Sequence, residues 1–176
     1  NNLVNDLLLL SRLESDTVKQ APKAINMKHL LEQLRLEANA YSADKQQNII
    51  IQVNSPYQLL GLEADIRSAF SNLITNAIKY TPAHGEITIR WSNDEKFAYL
   101  SVHDTGMGIE PQHIARLTER FYRVDAARSS ATGGTGLGLA IVKHVLLQHK
   151  AILNINSKPN VGSTFTCVFP KEMLVE

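Results

Sequence analysis

The chain has a single cysteine, almost no net charge and no long apolar run, and each shortage narrows what it can be. Cys167 has no partner for an internal disulfide, and its setting, "GSTFTCVFP", reads as a buried strand rather than an electropositive pocket. A disulfide scaffold and a reactive thiol both drop out. A formal net charge of +1 over 176 residues offers no broad field for nucleic acid or an anionic membrane, so any anion must be held by a local site. No apolar stretch approaches the roughly 20 residues a membrane-spanning helix needs, and no signal peptide opens the chain. With 44% hydrophobic and 20% charged residues, the expectation is a soluble, cytosolic domain that builds its core without metal or disulfide. An initiator methionine is also missing. "NNLVNDLLLLSRLESD" begins inside a helical pattern, so the chain is expected to be a piece of a longer protein.

What is present is a succession of helical and strand patterns. In the opening helix Leu3, Leu7 and Leu10 fall at heptad-like spacing, widened by Val4 and Leu8, and such a stripe needs an apolar partner. Ala21-Pro22 marks a boundary. A second amphipathic helix is expected over 27–44, and strands over 48–53 and 57–61 are separated by Asn54-Ser55-Pro56. A third helix runs over 63–81, stopped by Pro82. "GEITIRWS" and "KFAYLSVHD" alternate as a hairpin should. "IEPQHIARL" predicts a short helix with Pro111 near its start. Residues 118–135 form a long loop rich in Arg, Ser and Gly, a helix follows over 136–149, and "AILNINS" and "STFTCVFP" close the chain as strands. Mixed helices and hairpins without strict βαβ alternation indicate an α+β two-layer sandwich.

At 100° per residue the third helix has two faces. Ile66, Phe70, Leu73, Ile74, Ala77 and Ile78 share an apolar arc, while Asp65, Ala69, Asn72, Asn76, Lys79 and Tyr80 occupy the other side. Asn is a poor helix former, and its carbonyl oxygen is a hard ligand suited to magnesium. A magnesium that accompanies a nucleotide needs only one or two protein ligands, because phosphate and water fill the rest. Taken alone, two polar surface residues would explain the pair better.

Two glycine-bearing turns change that balance. "HDTGMGIE" ends a strand with Asp104 and continues through Gly106 and Gly108. An aspartate there can accept from an exocyclic amine, although an ordinary Asp-Thr-Gly turn explains it as well. "TGGTGLGLAIVKH" carries Gly133, Gly134, Gly136 and Gly138. It has no Gly-Lys-Ser/Thr ending, which excludes a Walker loop. Its glycine spacing, the absence of a preceding strand and the lack of an acidic residue about 20 positions on argue against a dinucleotide fingerprint. A glycine-rich turn opening a helix N-terminus remains, and free N–H groups there favour phosphate.

In this order "NLITNAIKYTP", "DTGMGI", "ERFYRVD" and "GGTGLGLAIVKH" resemble the N box, first glycine box, F box and second glycine box of the sensor histidine kinase catalytic domain. That domain belongs to a superfamily shared with gyrase, a heat-shock chaperone and the mismatch-repair ATPases. "LTERFYRVDAARSSATGGTGLGLAIVKH" is closer still to the phosphate-regulon branch of the family. The resemblance implies a two-layer α/β sandwich, with a mixed, mainly antiparallel sheet packed on three helices. It implies that residues 1–18 end a dimerisation hairpin, that 19–176 form the catalytic domain, and that 118–135 form an ATP lid.

The same resemblance implies the cofactors ATP and Mg2+ and a set of site residues. Asn76 would ligate magnesium, and Asn72, Asn76 and Lys79 would serve the chemistry, with Tyr80 completing the nucleotide wall. Asp104 would receive the adenine amine, with Gly106, Gly108 and Ile109 shaping the base pocket. Phe121 would pack the lid down, Arg120 or Arg123 would lie near phosphate, and Gly134, Gly136, Leu137 and Gly138 would receive the triphosphate. Thr164 is placed toward the adenine side, with an ordinary strand threonine as the alternative. Arg128 and Lys143 read at least as well as solvated surface residues.

Related ATPases carry a water-activating glutamate where this chain has Asn72, which cannot act as a general base, so hydrolysis should be slow. The family's acceptor histidine is missing: none of His29, His84, His103, His113, His144 or His149 has the required surroundings. The expected partners are the dimerisation and phosphoacceptor module, in a homodimer, and a response regulator, with no nucleic acid. The expected location is a cytoplasmic domain of an inner-membrane parent. A nucleotide-responsive module controlling the regulator without kinase activity is the alternative. The chain departs from the family at "LTERF" and at Lys150-Ala151, which bears on lid packing and on the turn before Ile152.

Overall fold

The structure is a computed structural model in which residues 2–15, 20–124 and 133–176 are described. Helix α1 spans Asn2–Glu14 and strand β1 Lys23–Ile25. Helix α2 spans Met27–Tyr41, opened by Asn26, whose side chain accepts the N–H of His29 at 3.0 Å as an N-cap should. Strands β2, Asn48–Val53, and β3, Gln58–Gly61, precede helix α3, Glu63–Tyr80. Strands β4, Glu86–Asn93, and β5, Phe97–Asp104, lead to the short helix α4, Pro111–Ile114. Helix α5 spans Gly138–Gln148, followed by β6, Ile152–Lys158, β7, Gly162–Pro170, a 3-10 turn and β8, Leu174–Val175.

Five strands form the main sheet in the order β2-β4-β5-β7-β6. Strands β2 and β4 are parallel, and the other pairs are antiparallel. One face carries Ile87, Ile89, Trp91, Ala98, Leu100, Val102, Cys167 and Phe169, all buried against the helical layer. Phe169 stands edge-on to both Phe70 of α3 and Trp91, with ring centroids 6.3 Å apart in each pair, the arrangement the ring quadrupoles favour. The mixed sheet and the packed layer of α2, α3 and α5 are those the sequence predicts.

Two helix bounds shift, and the strands fall into two sheets. Strands β2 and β3, separated by the Asn54-Ser55-Pro56 turn, enter different sheets: β3 lies between β1 and β8 in a separate antiparallel sheet. Neither β1 nor β8 is long enough to show a period of its own. Helix α2 ends at Tyr41 rather than 44, where the Ser42 N–H reaches back to the Ala38 carbonyl and the Ala43 N–H to that of Ala40. Helix α5 begins at Gly138 rather than 136 because Gly136 has φ +74°, outside the helical region.

The faces of α1 and α3 are also redrawn. Asp65 and Ala69, placed by the helical wheel on the polar side of α3, are both buried. Helix α1 accounts for Asp65, whose carboxylate accepts from Arg12 at 2.5 Å. Helix α1 docks on α5 through Leu10 and Leu13, while Leu3, Val4, Leu7 and Leu8 remain exposed. The predicted Leu3-Leu7-Leu10 stripe is therefore split between two environments.

Candidate functional site

The C-terminal half of α3, the loop after β5 and the start of α5 meet at one end of the helical layer. A helix C-terminus leaves carbonyls without helical partners. Here Lys45 Nζ donates to the carbonyls of Ile78, Lys79 and Thr81 at 2.8–3.0 Å, and buried Gln47 donates to those of Ile78 and Thr81. Neither residue belongs to a recognised box, and no local pattern marks them. Their role depends on a contact more than 30 positions away.

The loop after β5 rests on this fixed end. Met107 N–H donates to the Tyr80 carbonyl at 3.3 Å. A Cβ at Gly106 would stand 2.4 Å from that same oxygen, so only glycine fits. Gly108 has φ +69° and lies against the Lys158 carbonyl. Asp104, only 4% exposed, accepts the Gly106 N–H at 2.9 Å. Burial pushes its carboxyl above the ordinary value, opposed by the backbone N–H groups of Gly106 and Ser163.

Register decides which face of β7 joins this group. Asp104 pairs with Ser163, and His103 pairs with Thr164. Side chains alternate along a strand. Thr164 is therefore on the outer face, its hydroxyl 2.8 Å from His103 Nδ1, and the expectation that it reaches the Asp104 side is corrected. Ser163 takes that place. Its hydroxyl is 2.8 Å from that of Ser157, which accepts the Ile109 N–H at 2.8 Å. "GST" offers two adjacent hydroxyls, and only the pairing register separates them.

On α3, Asn72 and Asn76 are half-buried, Lys79 is half-buried and Tyr80 is exposed. Asn72 Nδ2 donates to the Ser68 carbonyl at 3.0 Å, and its oxygen lies 2.8 Å from where a Cβ on Gly138 would stand. The Lys79 ammonium sits near Gly134; burial lowers its pKa, and the Arg123 charge lowers it further. Arg123 Nη1 donates to the Gly134 carbonyl at 2.7 Å.

Arg120 pairs instead with Glu14 of α1. Of the two candidate arginines, Arg123 is the one at the glycine turn. Phe121 has φ +62° and donates its N–H to the Gly136 carbonyl at 2.8 Å. The residue is 58% exposed, and its backbone N–H fastens it to the turn. The Leu137 side chain is wholly buried in the core, leaving only its backbone for any ligand. Lys143 is exposed. Arg128 and the rest of 125–132 lie outside the described residues.

Residues 61–173 match the family model described as "Histidine kinase-, DNA gyrase B-, and HSP90-like ATPase". Over 175 residues the chain is 55% identical to the phosphate regulon sensor protein PhoR of Pseudomonas aeruginosa, covering 99% of this chain and 40% of that protein. The chain thus spans two-fifths of that relative's length. Among solved structures, the mycobacterial sensor histidine kinase MprB is similar with a TM-score of 0.73 and 31% identity, over 85% of this chain and 97% of that one. Full-length ShkA in complex with AMPPNP is similar with a TM-score of 0.84 and 28% identity, over 96% of this chain and 35% of that one. With its boxes in order and its sheet and helices placed as in these neighbours, the chain belongs to the histidine kinase-, DNA gyrase B- and HSP90-like ATPase family, as an ATPase domain of the sensor histidine kinase type.

Proposed function

We propose that the chain binds MgATP between α3, the loop after β5 and the start of α5, and presents the γ-phosphate to a histidine on the dimerisation module of the whole protein. The phosphoryl group then passes to a response regulator. The observation that carries this reading is that one helix, α3, joins two ends of a site: the loop after the buried Asp104 rests on its Tyr80 carbonyl, while its Lys79 and Asn72 lie at Gly134 and Gly138. The AMPPNP held by ShkA, a neighbour at a TM-score of 0.84, supports it.

In this reading Asp104 accepts the adenine amine, with Gly106, Gly108 and Ile109 forming the base wall and Ser163 in place of Thr164. Tyr80 flanks the nucleotide. Lys79, Arg123 and the backbone from Gly134 through Gly136 and Leu137 to Gly138 take the phosphates. Asn76, with Asn72 beside it, fits magnesium by donor chemistry: an amide oxygen is a hard ligand. No group of three His, Cys, Asp or Glu that could hold a metal occurs among the described residues, so phosphate oxygens would complete the shell. When bound, the ion would neutralise developing phosphate charge.

The acceptor imidazole nitrogen bonds to the γ-phosphorus as the bond to the β-γ bridging oxygen breaks, and ADP leaves. Positioning and electrostatics supply the catalysis. Asn72 offers no base for water, which favours transfer over hydrolysis. Residues 1–18 then end the dimerisation hairpin, 19–176 form the catalytic domain and 118–135 its lid. In the whole protein the domain lies on the cytoplasmic side of the inner membrane; no helix among the described residues is long and apolar enough to cross one. Radiolabelled ATP with a separately supplied acceptor module should label histidine. No transfer under conditions where the intact parent is active would overturn the assignment.

A further inference from the structure

Helix α1 meets the proposed site with an unexpected residue. Its docked face is spaced Asp6, Leu9, Leu10, Leu13, the i, i+3, i+4, i+7 pattern of a packed helix. Leu10 and Leu13 are in the core and Asp6 is half-buried, whereas Leu3, Val4, Leu7 and Leu8 are exposed. A carboxylate at a packed position requires partners. Thr135 Oγ, between Gly134 and Gly136, donates to Asp6 Oδ2 at 2.8 Å and also accepts the Leu137 N–H at 3.3 Å. The Asp6 charge further acts on the Lys79 ammonium, against the effects of burial and Arg123. Further polar contacts hold α1 in place: Arg12 on Asp65, and Glu14 on Arg120 and, at 3.4 Å, on His144.

We infer that Asp6 is an internal competitor for the phosphate end of the site. Its carboxylate holds the glycine-turn hydroxyl at the place a nucleotide's phosphates would occupy, so α1 docking and phosphate binding oppose one another. This rests on the MgATP reading. Two anions held by the same small set of donors repel strongly in a half-buried site. A bound phosphate therefore displaces Asp6, and the same linkage makes docked α1 weaken phosphate binding. Adenosine, which reaches only the Asp104 end, is indifferent to Asp6. The competition couples the position of α1 to nucleotide occupancy.

The test is calorimetric titration of the full chain and its Asp6→Asn and Asp6→Ala variants with adenosine, ADP and MgATP, with thermal melting to show that each variant folds. Both variants should bind MgATP about three- to tenfold more tightly than the unsubstituted chain, with adenosine affinity unchanged. Unchanged or weaker MgATP binding overturns the inference, as does an equal gain for adenosine and MgATP, which would mean general opening of the site. An unsubstituted chain that binds neither adenosine nor MgATP overturns the nucleotide reading itself, and the competition falls with it.

Discussion

The side-chain oxygen of Asn72 lies 2.8 Å from where a Cβ on Gly138 would stand. The helix bearing the two asparagines and the helix opened by the glycine turn therefore approach closely here at a position that carries no side chain. Only a residue without a side chain allows that approach while Asn72 remains anchored to the Ser68 carbonyl.

Gly138→Ala should separate binding from folding. Alanine gains up to about 1 kcal/mol of helix propensity, while the added methyl displaces the Asn72 amide. Stability should stay within about 1 kcal/mol of the original, whereas MgATP affinity should fall about tenfold for a lost polar contact of about 1.4 kcal/mol. Urea melts together with calorimetry check both, and an unaltered affinity would remove Asn72 from the phosphate end.

Asp104→Asn should have effects of opposite sign on binding and stability. Losing a charged acceptor for the adenine amine costs about 1.5 to 3 kcal/mol of affinity. Stability at pH 7 should be equal or higher, because the cost of burying the carboxylate disappears. Since burial raises the folded-state pKa, the folded chain binds the proton before the unfolded one does. The stability of the unsubstituted chain relative to the variant therefore increases as pH falls through that raised value. Parallel denaturation curves for the two proteins between pH 7 and pH 4 would contradict this.

Ser163→Ala and Thr164→Val test the register. Thr164 faces the outer side with His103, so its substitution should leave nucleotide affinity within about twofold, less than one ordinary hydrogen bond is worth. Ser163→Ala breaks the link to Ser157, which holds the Ile109 N–H. It should lower both stability and affinity by about 1 kcal/mol. The reverse ranking would place the adenine side on the wrong face of β7.

Gly136→Val acts on the turn. At φ +74° a Cβ would stand 2.8 Å from Phe121 Cα, a backbone atom, and a β-branched residue there is strained by about 1 to 3 kcal/mol. Gly136 lies outside the core, so the melting temperature should fall by only several degrees while MgATP affinity drops at least tenfold. Asparagine, which tolerates this backbone region, should be milder. Equal affinity in all three proteins would exclude the glycine turn from the site.

How far the sequence speaks depends on the range of the physics involved. The apolar arc of α3, the β4–β5 hairpin, the Pro82 stop and the glycine-to-helix transition near Gly136 are local. Periodicity, proline sterics and turn chemistry act within a few residues, and these elements are legible in the order of the amino acids alone. The ordered boxes add the family and bring Asn72, Asn76 and Asp104 into one group, since each box carries its own local chemistry.

What the tertiary structure alone decided involves partners distant in the chain. Asp65 and Ala69 sit on the polar side of an isolated helical wheel, yet they are buried because α1 and α5 cover that side. Ser163 and Thr164 are alike as adjacent hydroxyls, and only strand pairing turns one toward Asp104. Lys45 and Gln47 gain a role only where they meet the open carbonyls of α3. Asp6 is one more charge on a leucine-rich helix until docking sets it against Thr135. Sequence determines the elements and their chemistry because backbone preference is local, while burial, facing and competition are properties of packed surfaces, which exist only once the chain has folded.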